Sequence, residues 1–546
     1  MSRPPFRPAP RQASRPAGRR TDGSRAGQRA TLGLALAALL LSGCQPPRGP
    51  SDRLIVAARS RIDSVDPAGI TTGSGLQLLS ALGDPLYRIT ADGRLEPRLA
   101  ADLPQLSADG RSARITLRRG VRFHDGTAFD AAAMAFSLRR FLAIGKLSYL
   151  LSGHVSDVEV AGSHTLVLRL KRPSPELATL LSAMPLTPVS PSAYRQHQRS
   201  LLNDRFVGTG PYRLSAFNQQ QQRLVPFRGY WGAAPANGGL DLVSLSNSTA
   251  LFGALSSGEV DVLLSGSLDI DQQAALRRRA RSGGLSEGSG PALEIGYLTL
   301  LSDQPPLNNP TLRRAVALSL DRRTISERAS LGLRPPLRSL VPPDLPGSAA
   351  GAWPSYDPGR ARRLYRQAGF CNGTVLALPL TFRSNVPSDR LFALTWQAQL
   401  QQDLGDCVRL EVSGVESTTA YRQLADGAFP LILLDWIGDV PDADNYLQPL
   451  LGCEQEQGDR CLKGDSAVSG SFWTQPGLQA ELQRSGSRSG PARVALLQRI
   501  QRQAAHGAAY VPVWLVTPRA WARPGISRPL FDGSGRLLLQ ELRALP

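Results

Sequence analysis

The stretch that decides the fold runs from Asp357 to Trp436. It reads DPGRARRLYRQAGF (357–370), VLALPLTF (375–382), SDRLFALTWQAQLQQDLG (388–405), VRLEV (408–412), TTAYRQLA (418–425) and FPLILLDW (429–436). Asp357-Pro358 predicts an N-cap followed by proline at the first helical position. Ala361, Leu364 and Ala368 then share a face, and Gly369 ends the helix. The apolar run 375–382 has the composition of a strand. From Ser388 to Leu404, Phe392, Trp396, Leu400 and Leu404 recur at helical spacing, and Gly405 closes the segment. Residues 408–412 form a second strand, 418–425 a third helix, and 429–434 a fully apolar strand that runs into Asp435 and Trp436. Strand–helix–strand–helix–strand with short links predicts three parallel strands and right-handed crossovers. The fold class is α/β.

Elsewhere the signals are shorter. Leu54-Ile55-Val56-Ala57 reads as a strand, and Arg114 to Arg118 alternates as a half-buried strand does. Asp130 caps a helix with Met134, Leu138 and Phe141 on one face. A further helix follows Asn309-Pro310, with Leu312, Val316 and Leu320 in a stripe. Residues 284–288 match the hydrolase elbow Gly-x-Ser-x-Gly, which needs a buried strand before it and a helix after it. Here Arg277 to Arg281 precedes it and a strand at 292–300 follows, so the segment reads as a polar linker. The chain has no Gly-x-x-x-x-Gly-Lys phosphate loop, so any ATPase is a separate protein.

The chain has 546 residues, 42% apolar and 20% charged, with a net charge of +19. This is globular composition, long enough for two or three domains. Arginine carries nearly all the positive charge, since lysine occurs only at 146, 171 and 463. Eight arginines (Arg3, Arg7, Arg11, Arg15, Arg19, Arg20, Arg25, Arg29) lie in the first 29 residues against one acid, Asp22. The others are scattered among acids without aromatic interleaving, which argues against nucleic acid as a partner.

The arginine-rich leader precedes a short leucine/alanine run from Leu32 to Leu41, the layout of a secretory signal peptide. The run is too short for a membrane span of roughly 20 apolar residues. It closes on Leu41-Ser42-Gly43-Cys44, which resembles a bacterial lipobox. That makes 1–43 a signal peptide, Cys44 the lipidated first residue and 44–50 a tether. The implied location is the periplasmic space, anchored to the outer face of the cytoplasmic membrane. Cys371, Cys407, Cys453 and Cys461 remain, and four cysteines in an oxidising compartment suggest two disulfides with three possible connectivities. Cys371 and Cys407 precede the first two parallel strands at one edge of the sheet, so the pairing put forward is Cys371–Cys407 with Cys453–Cys461. No cysteine pair has metal spacing and the five histidines are dispersed. No metal or cofactor is expected.

Seven segments then carry a resemblance. They are VDPAG (65–69), ITLRRGVRFHDGTAFDAAAMAFSLRR (115–140), GTGPYRL (208–214), SSGEVDVL (256–263), LRRAVALSLDRRTI (312–325), YDPGRARRLYRQAGF (356–370) and DWIGDVPDADNYL (435–447). In this order they resemble the extracytoplasmic solute-binding proteins of peptide/nickel ABC importers, family 5. Ala132-Ala133 departs from the acidic pair usual there, and Gly452–Ser471, holding Cys453 and Cys461, reads as an insertion. The resemblance implies a periplasmic-binding-protein type II-like fold: two lobes, an inserted small third domain and a hinge. It places the first lobe at 51–78, 206–295 and 516–546, the small domain at 79–205 and the second lobe at 296–515. The glycines of 208–212 would relax the backbone where the chain re-enters the first lobe, or form a plain turn.

Ligands of open parallel sheets gather at the carboxyl ends of strands. Arg383 and Asp439 follow two such ends with opposite charges. A peptide zwitterion needs an anion for its ammonium and a cation, best a bidentate arginine, for its carboxylate. The resemblance implies that Asp439, in Trp436-Ile437-Gly438-Asp439, grips the ammonium. Trp436 is a ligand-lining candidate with packing as its alternative, and Asp442 and Asp444 read as turn residues. The expected function is a lipid-anchored, monomeric, non-enzymatic receptor. It captures a peptide or other small solute and delivers it by lobe closure to an ABC permease served by separate ATPases. Alternatives are an opine, sugar or metal-chelate binder, and a sensory or chaperone-like lipoprotein.

Overall fold

A computed structural model describes residues 53–546 apart from 59–61, 63 and 246. The expected leader, Cys44 and the tether lie outside the described residues. None of the described helices is long and apolar enough to cross a membrane.

The stretch 357–436 forms as its pattern demands. Asp357 accepts a hydrogen bond from the Arg360 amide at 2.8 Å and starts the helix Pro358–Gln367. Strand Leu376–Arg383 pairs in parallel with Val408–Val415 on one side and Leu431–Ile437 on the other. Helix Pro387–Leu404 crosses between the first two strands, burying Phe392, Trp396, Leu400 and Leu404. Two antiparallel strands extend the sheet, Glu294–Leu300 beside Leu431–Ile437 and Tyr510–Val516 outermost. A buried apolar core lines each face of this five-stranded sheet.

A seven-stranded sheet collects strands from distant parts of the chain: Ser286–Ser289, Arg519–Ala522, Val262–Leu264, Arg53–Ala58, Gly239–Ser244, Gln221–Pro226 and Tyr212–Phe217, in that spatial order. The chain leaves it after Arg53–Ala58 to build a third unit. There the strands Gln105–Leu106, Ser112–Thr116, Thr165–Leu170 and Val155–Gly162 pack on helix Ala131–Ile144. The Asp130 side chain caps that helix at the Ala133 amide, 2.8 Å away. Residues at the end of the excursion, Met184, Val189, Tyr194, Leu202 and Phe206, bury themselves in the core of the seven-stranded sheet.

Several expectations are revised. The segment 284–288 is no linker, because Ser286–Ser289 is an edge strand paired antiparallel with Arg519–Ala522. It follows the helix Ile270–Arg281, the reverse of the elbow order. Gly208 and Gly210 do not adopt positive φ. A Cβ on Gly210 would lie 2.4 Å from the Gly83 amide nitrogen, and one on Gly208 2.2 Å from the Phe206 ring. Close backbone approach, not a relaxed turn, selects glycine here. This approach joins two of the quoted segments. The Nδ1 atom of His124 accepts from the Gly208 amide at 3.3 Å while Nε2 lies 3.1 Å from the Gly210 carbonyl.

Cys371 is bonded to Cys407, and Cys453 to Cys461. The second bridge closes a hairpin, Gln455–Gln457 with Arg460–Lys463, inside the segment that reads as an insertion.

Candidate functional site

Three parallel strands present their carboxyl ends together, and Arg383 is the last residue of the middle one. Its Nε donates to Asp389 at 2.8 Å and its Nη1 to Asp435 at 2.7 Å and to the Tyr421 hydroxyl at 3.1 Å. Asp389 stands in the first turn of helix Pro387–Leu404, and Asp435 is on the neighbouring strand. Burial opposes the guanidinium charge, but Asp435 and Asp389 outweigh it and hold its pKa above the ordinary arginine range. Burial pushes the Asp389 carboxyl up to about 6 against the pull of Arg383. Asp435 is also desolvated, yet Arg383 and Tyr421 keep it below the usual carboxylate value. Arg383 thus sits where the sequence places it, facing two carboxylates of its own protein.

Asp439 lies two residues beyond the adjacent strand, in a loop held by Asn445. The Asn445 side chain accepts from the Asp439 amide at 2.6 Å, and its carbonyl accepts from the Trp436 indole at 2.8 Å. Trp436 therefore packs, half-buried, against the apolar core on one face of the five-stranded sheet. The Asp439 carboxylate receives a 2.8 Å hydrogen bond from the hydroxyl of Tyr149. Tyr149 belongs to the four-stranded unit, whose apolar core also takes in Val440. Burial raises the Asp439 pKa, and the Tyr149 bond works against that. No cation pairs with Asp439 among the described residues.

A second clasp joins the same two units. Arg493, on helix Gly490–Gly507, makes a bidentate pair with Asp442 at 2.9 and 2.7 Å. It also bonds Asp444 at 2.9 Å and approaches Glu176 of the four-stranded unit at 3.5 Å. Asp442 and Asp444, expected as turn residues, are the anions of this cluster. Their arginine lies about 50 residues downstream, beyond any local pattern. Tyr149 is likewise unmarked in the sequence. It is an ordinary aromatic in a short helix, and only the fold brings it to Asp439.

Where the chain crosses from the five-stranded to the seven-stranded sheet, a cavity of about 200 Å³ opens between the two. Glu294, Arg334 and the start of helix Pro387–Leu404 line one side, and Ser265, Asp269 and Gln273 with Arg519 the other. Among the described residues no group of three or more His, Cys, Asp or Glu side chains is placed to hold a metal ion.

Comparison with known proteins follows the same lines. Residues 94–458 match the model of a family described as bacterial extracellular solute-binding proteins, family 5 Middle. The glutathione-binding protein GsiB of Escherichia coli O1:K1 / APEC is 27% identical over 435 residues, covering 78% of this chain and 81% of that protein. NikA from Brucella suis, solved with Fe(III)-EDTA, superposes with a TM-score of 0.79 at 22% identity, covering 90% of this chain and 99% of that one. A dipeptide-binding protein from Pseudoalteromonas sp. SM9913, solved with Met-Leu, gives 0.75 at 21% identity, covering 90% and 100%.

Proposed function

Because this chain belongs to the bacterial extracellular solute-binding proteins of family 5, we propose that it is the lipid-anchored receptor of an ABC importer, capturing small peptides outside the cytoplasmic membrane and delivering them to a permease by lobe closure. Its fold is of the periplasmic-binding-protein type II class. On this reading the seven-stranded sheet is the core of the first lobe (51–78, 206–295 and 516–546). The four-stranded unit is the small domain inserted at 79–205, and the five-stranded sheet is the second lobe (296–515).

One observation carries the peptide reading: Asp439 is a half-buried carboxylate that receives a hydrogen bond from one neutral phenol and faces no cation among the described residues. An anion left in that state is costly unless a cation arrives, and a peptide's α-ammonium is one that fits. Arg383 is already neutralised by Asp389 and Asp435. Its part is to hold the strand ends in register, reaching a ligand carboxylate only if those partners yield. The relatives named above bind glutathione, a dipeptide or a metal chelate, so a γ-linked peptide or chelate is the second reading. Capture of this kind is binding with closure and includes no covalent step.

Native mass spectrometry of the mature protein purified from its own periplasm tests the proposal. A co-purified peptide with a free amino terminus is the expected result. A bound sugar, or a ligand without an amine, would contradict it.

A further inference from the structure

The helix Ile270–Arg281 ends on Arg277-Arg278-Arg279-Ala280-Arg281, and neither the cavity nor the Asp439 loop uses those arginines. Arg277 is half-buried, 3.6 Å from Glu287, which also pairs with Arg519 at 2.6 Å. Arg279 donates to the Ser256 hydroxyl at 3.0 Å. Arg278 and Arg281 are exposed and make no side-chain hydrogen bond or ion pair among the described residues. A helix C-terminus favours cations, but here they crowd. Burial, and then Arg519 and Arg281, hold the Arg277 pKa below the ordinary arginine range despite Glu287. The surplus extends beyond the helix, since the leader's eight arginines and one acid account for less than half of the net charge of +19.

Sheet register fixes which end of the seven-stranded sheet this is. Val56, Val262, Ala522 and Ser286 stand in one row across four neighbouring strands, and the strands of Val56, Val262 and Ser286 run the same way. Arg53, before Val56, and Arg281, before Ser286, therefore lie on the same side of that row. Their strands are three spacings apart, about 14 Å. The last residues return to this end as well. The amide of Leu545, 39% exposed, donates to the Gly525 carbonyl at 2.7 Å. Arg543 beside it is exposed and has no side-chain partner among the described residues. The cavity residues Ser265 and Arg519 lie at the opposite end of the same strands.

We propose that this end of the seven-stranded sheet docks on an anionic lipid surface, with Arg278, Arg281 and Arg543 at the lipid phosphates and Leu545 at the interface. Two arguments select lipid as the occupant. The first is charge: Asp261 is already paired with Arg523, and the exposed Glu259 and Glu541 are outnumbered by the arginines. Guanidinium groups without a carboxylate of their own suit phosphate oxygens. The second is reach, and it rests on the proposed anchor. Nine peptide steps separate Cys44 from Arg53, at most about 32 Å when extended, so a lipid on Cys44 keeps the strand start within that distance of the membrane. Docked this way, the cavity at the far end of the strands stays clear of lipid.

Flotation of the chain Gly49–Pro546, a compact unit in itself, with vesicles of phosphatidylglycerol or of phosphatidylcholine tests the proposal. This chain carries no acyl group, so the result does not depend on Cys44, whose lipidation has its own test. The chain should float with the anionic vesicles and not with the zwitterionic ones. It should be released in about 1 M salt, where the screening length falls to about 3 Å. Each arginine at an anionic surface strengthens binding roughly fivefold, so Arg278→Gln/Arg281→Gln should weaken it about tenfold or more at an unchanged melting temperature. Arg195→Gln/Arg205→Gln, which removes two charges from a separate groove beside Asp125, should bind like the parent. Absence of binding to phosphatidylglycerol would overturn the proposal. So would equal losses in the two double variants, which would reduce the attraction to net charge. Displacement by inorganic phosphate at constant ionic strength would also overturn it, assigning the arginines to a free anion.

Discussion

Tyr149 and Asp439, 290 residues apart, are joined by a 2.8 Å hydrogen bond from the phenol to the carboxylate. The contact links the four-stranded unit to the loop that follows the strand Leu431–Ile437 of the five-stranded sheet. On the proposed reading, solute capture at Asp439 is thereby coupled to the position of the four-stranded unit. Removing the hydroxyl takes away one charge-assisted bond, worth about 1.5 kcal/mol, or roughly tenfold in affinity. Tyr149→Phe should weaken solute binding by that order in a fluorescence titration while its melting temperature stays within a few degrees of the parent. Unchanged affinity would detach Tyr149 from the bound state.

His124 sets a pH dependence of stability. Burial, foremost, pushes its pKa down to about 4, although the Gly210 carbonyl favours the charged form. With Nδ1 accepting from Gly208, the ring is neutral and its Nε2–H donates to Gly210. The folded pKa lies below the ordinary value near 6.5, so the unfolded chain binds the proton more readily. The contribution is complete above about pH 6.5 and is lost as pH falls toward 4, a loss of about 2–3 kcal/mol at pH 4.5. In urea melts, the stability gap between the parent and His124→Gln should narrow by about that amount between pH 7.5 and 4.5. A constant gap would mean that His124 is not held neutral.

The bridge Cys371–Cys407 joins residues 36 apart beside the five-stranded sheet. Loop entropy gives it roughly 3.8 kcal/mol, against about 2.6 kcal/mol for the shorter ring Cys453–Cys461. The double variant Cys371→Ser/Cys407→Ser should lose more stability in denaturant melts than Cys453→Ser/Cys461→Ser. The opposite order would show that strain or residual structure, not ring size, governs the two bridges.

Cys44 should carry the lipid that anchors the protein, each buried CH₂ of its chains adding about 0.8 kcal/mol to membrane affinity. Cys44→Ser should leave the precursor uncleaved or release the protein from the membrane fraction. A variant processed and fractionated like the parent would remove the anchor from the account.

Much of this architecture is legible in the sequence because its periodic segments are strong. Asp357-Pro358, the 388–404 stripe and the apolar run ending at Trp436 produce the parallel strands with little help from tertiary context. Asp439 and Arg383 are legible as charges just past strand ends. Their partners are not. Asp389 and Asp435 read as a helix start and a strand end, and nothing local says that both turn toward Arg383. Tyr149 reaches Asp439 only through docking of separate units, and Arg493 reaches Asp442 within one unit, both over separations that no local pattern spans. The glycines at 208 and 210 were visible, but their reason was not, because the backbone they approach belongs to residues 82 and 83.

The central claim is that Asp439 meets the ligand's ammonium, and one calorimetric cycle tests it most directly. The peptide recovered from the native protein and its N-acetylated form are titrated into the parent and into Asp439→Ala. Removing a desolvated anion from under an ammonium costs about 3–5 kcal/mol, two to four decades in dissociation constant. The account predicts that loss for the free peptide. The acetylated peptide should bind weakly to the parent and lose little more in the variant. Equal losses for both peptides would contradict it, assigning Asp439 to the fold or the hinge.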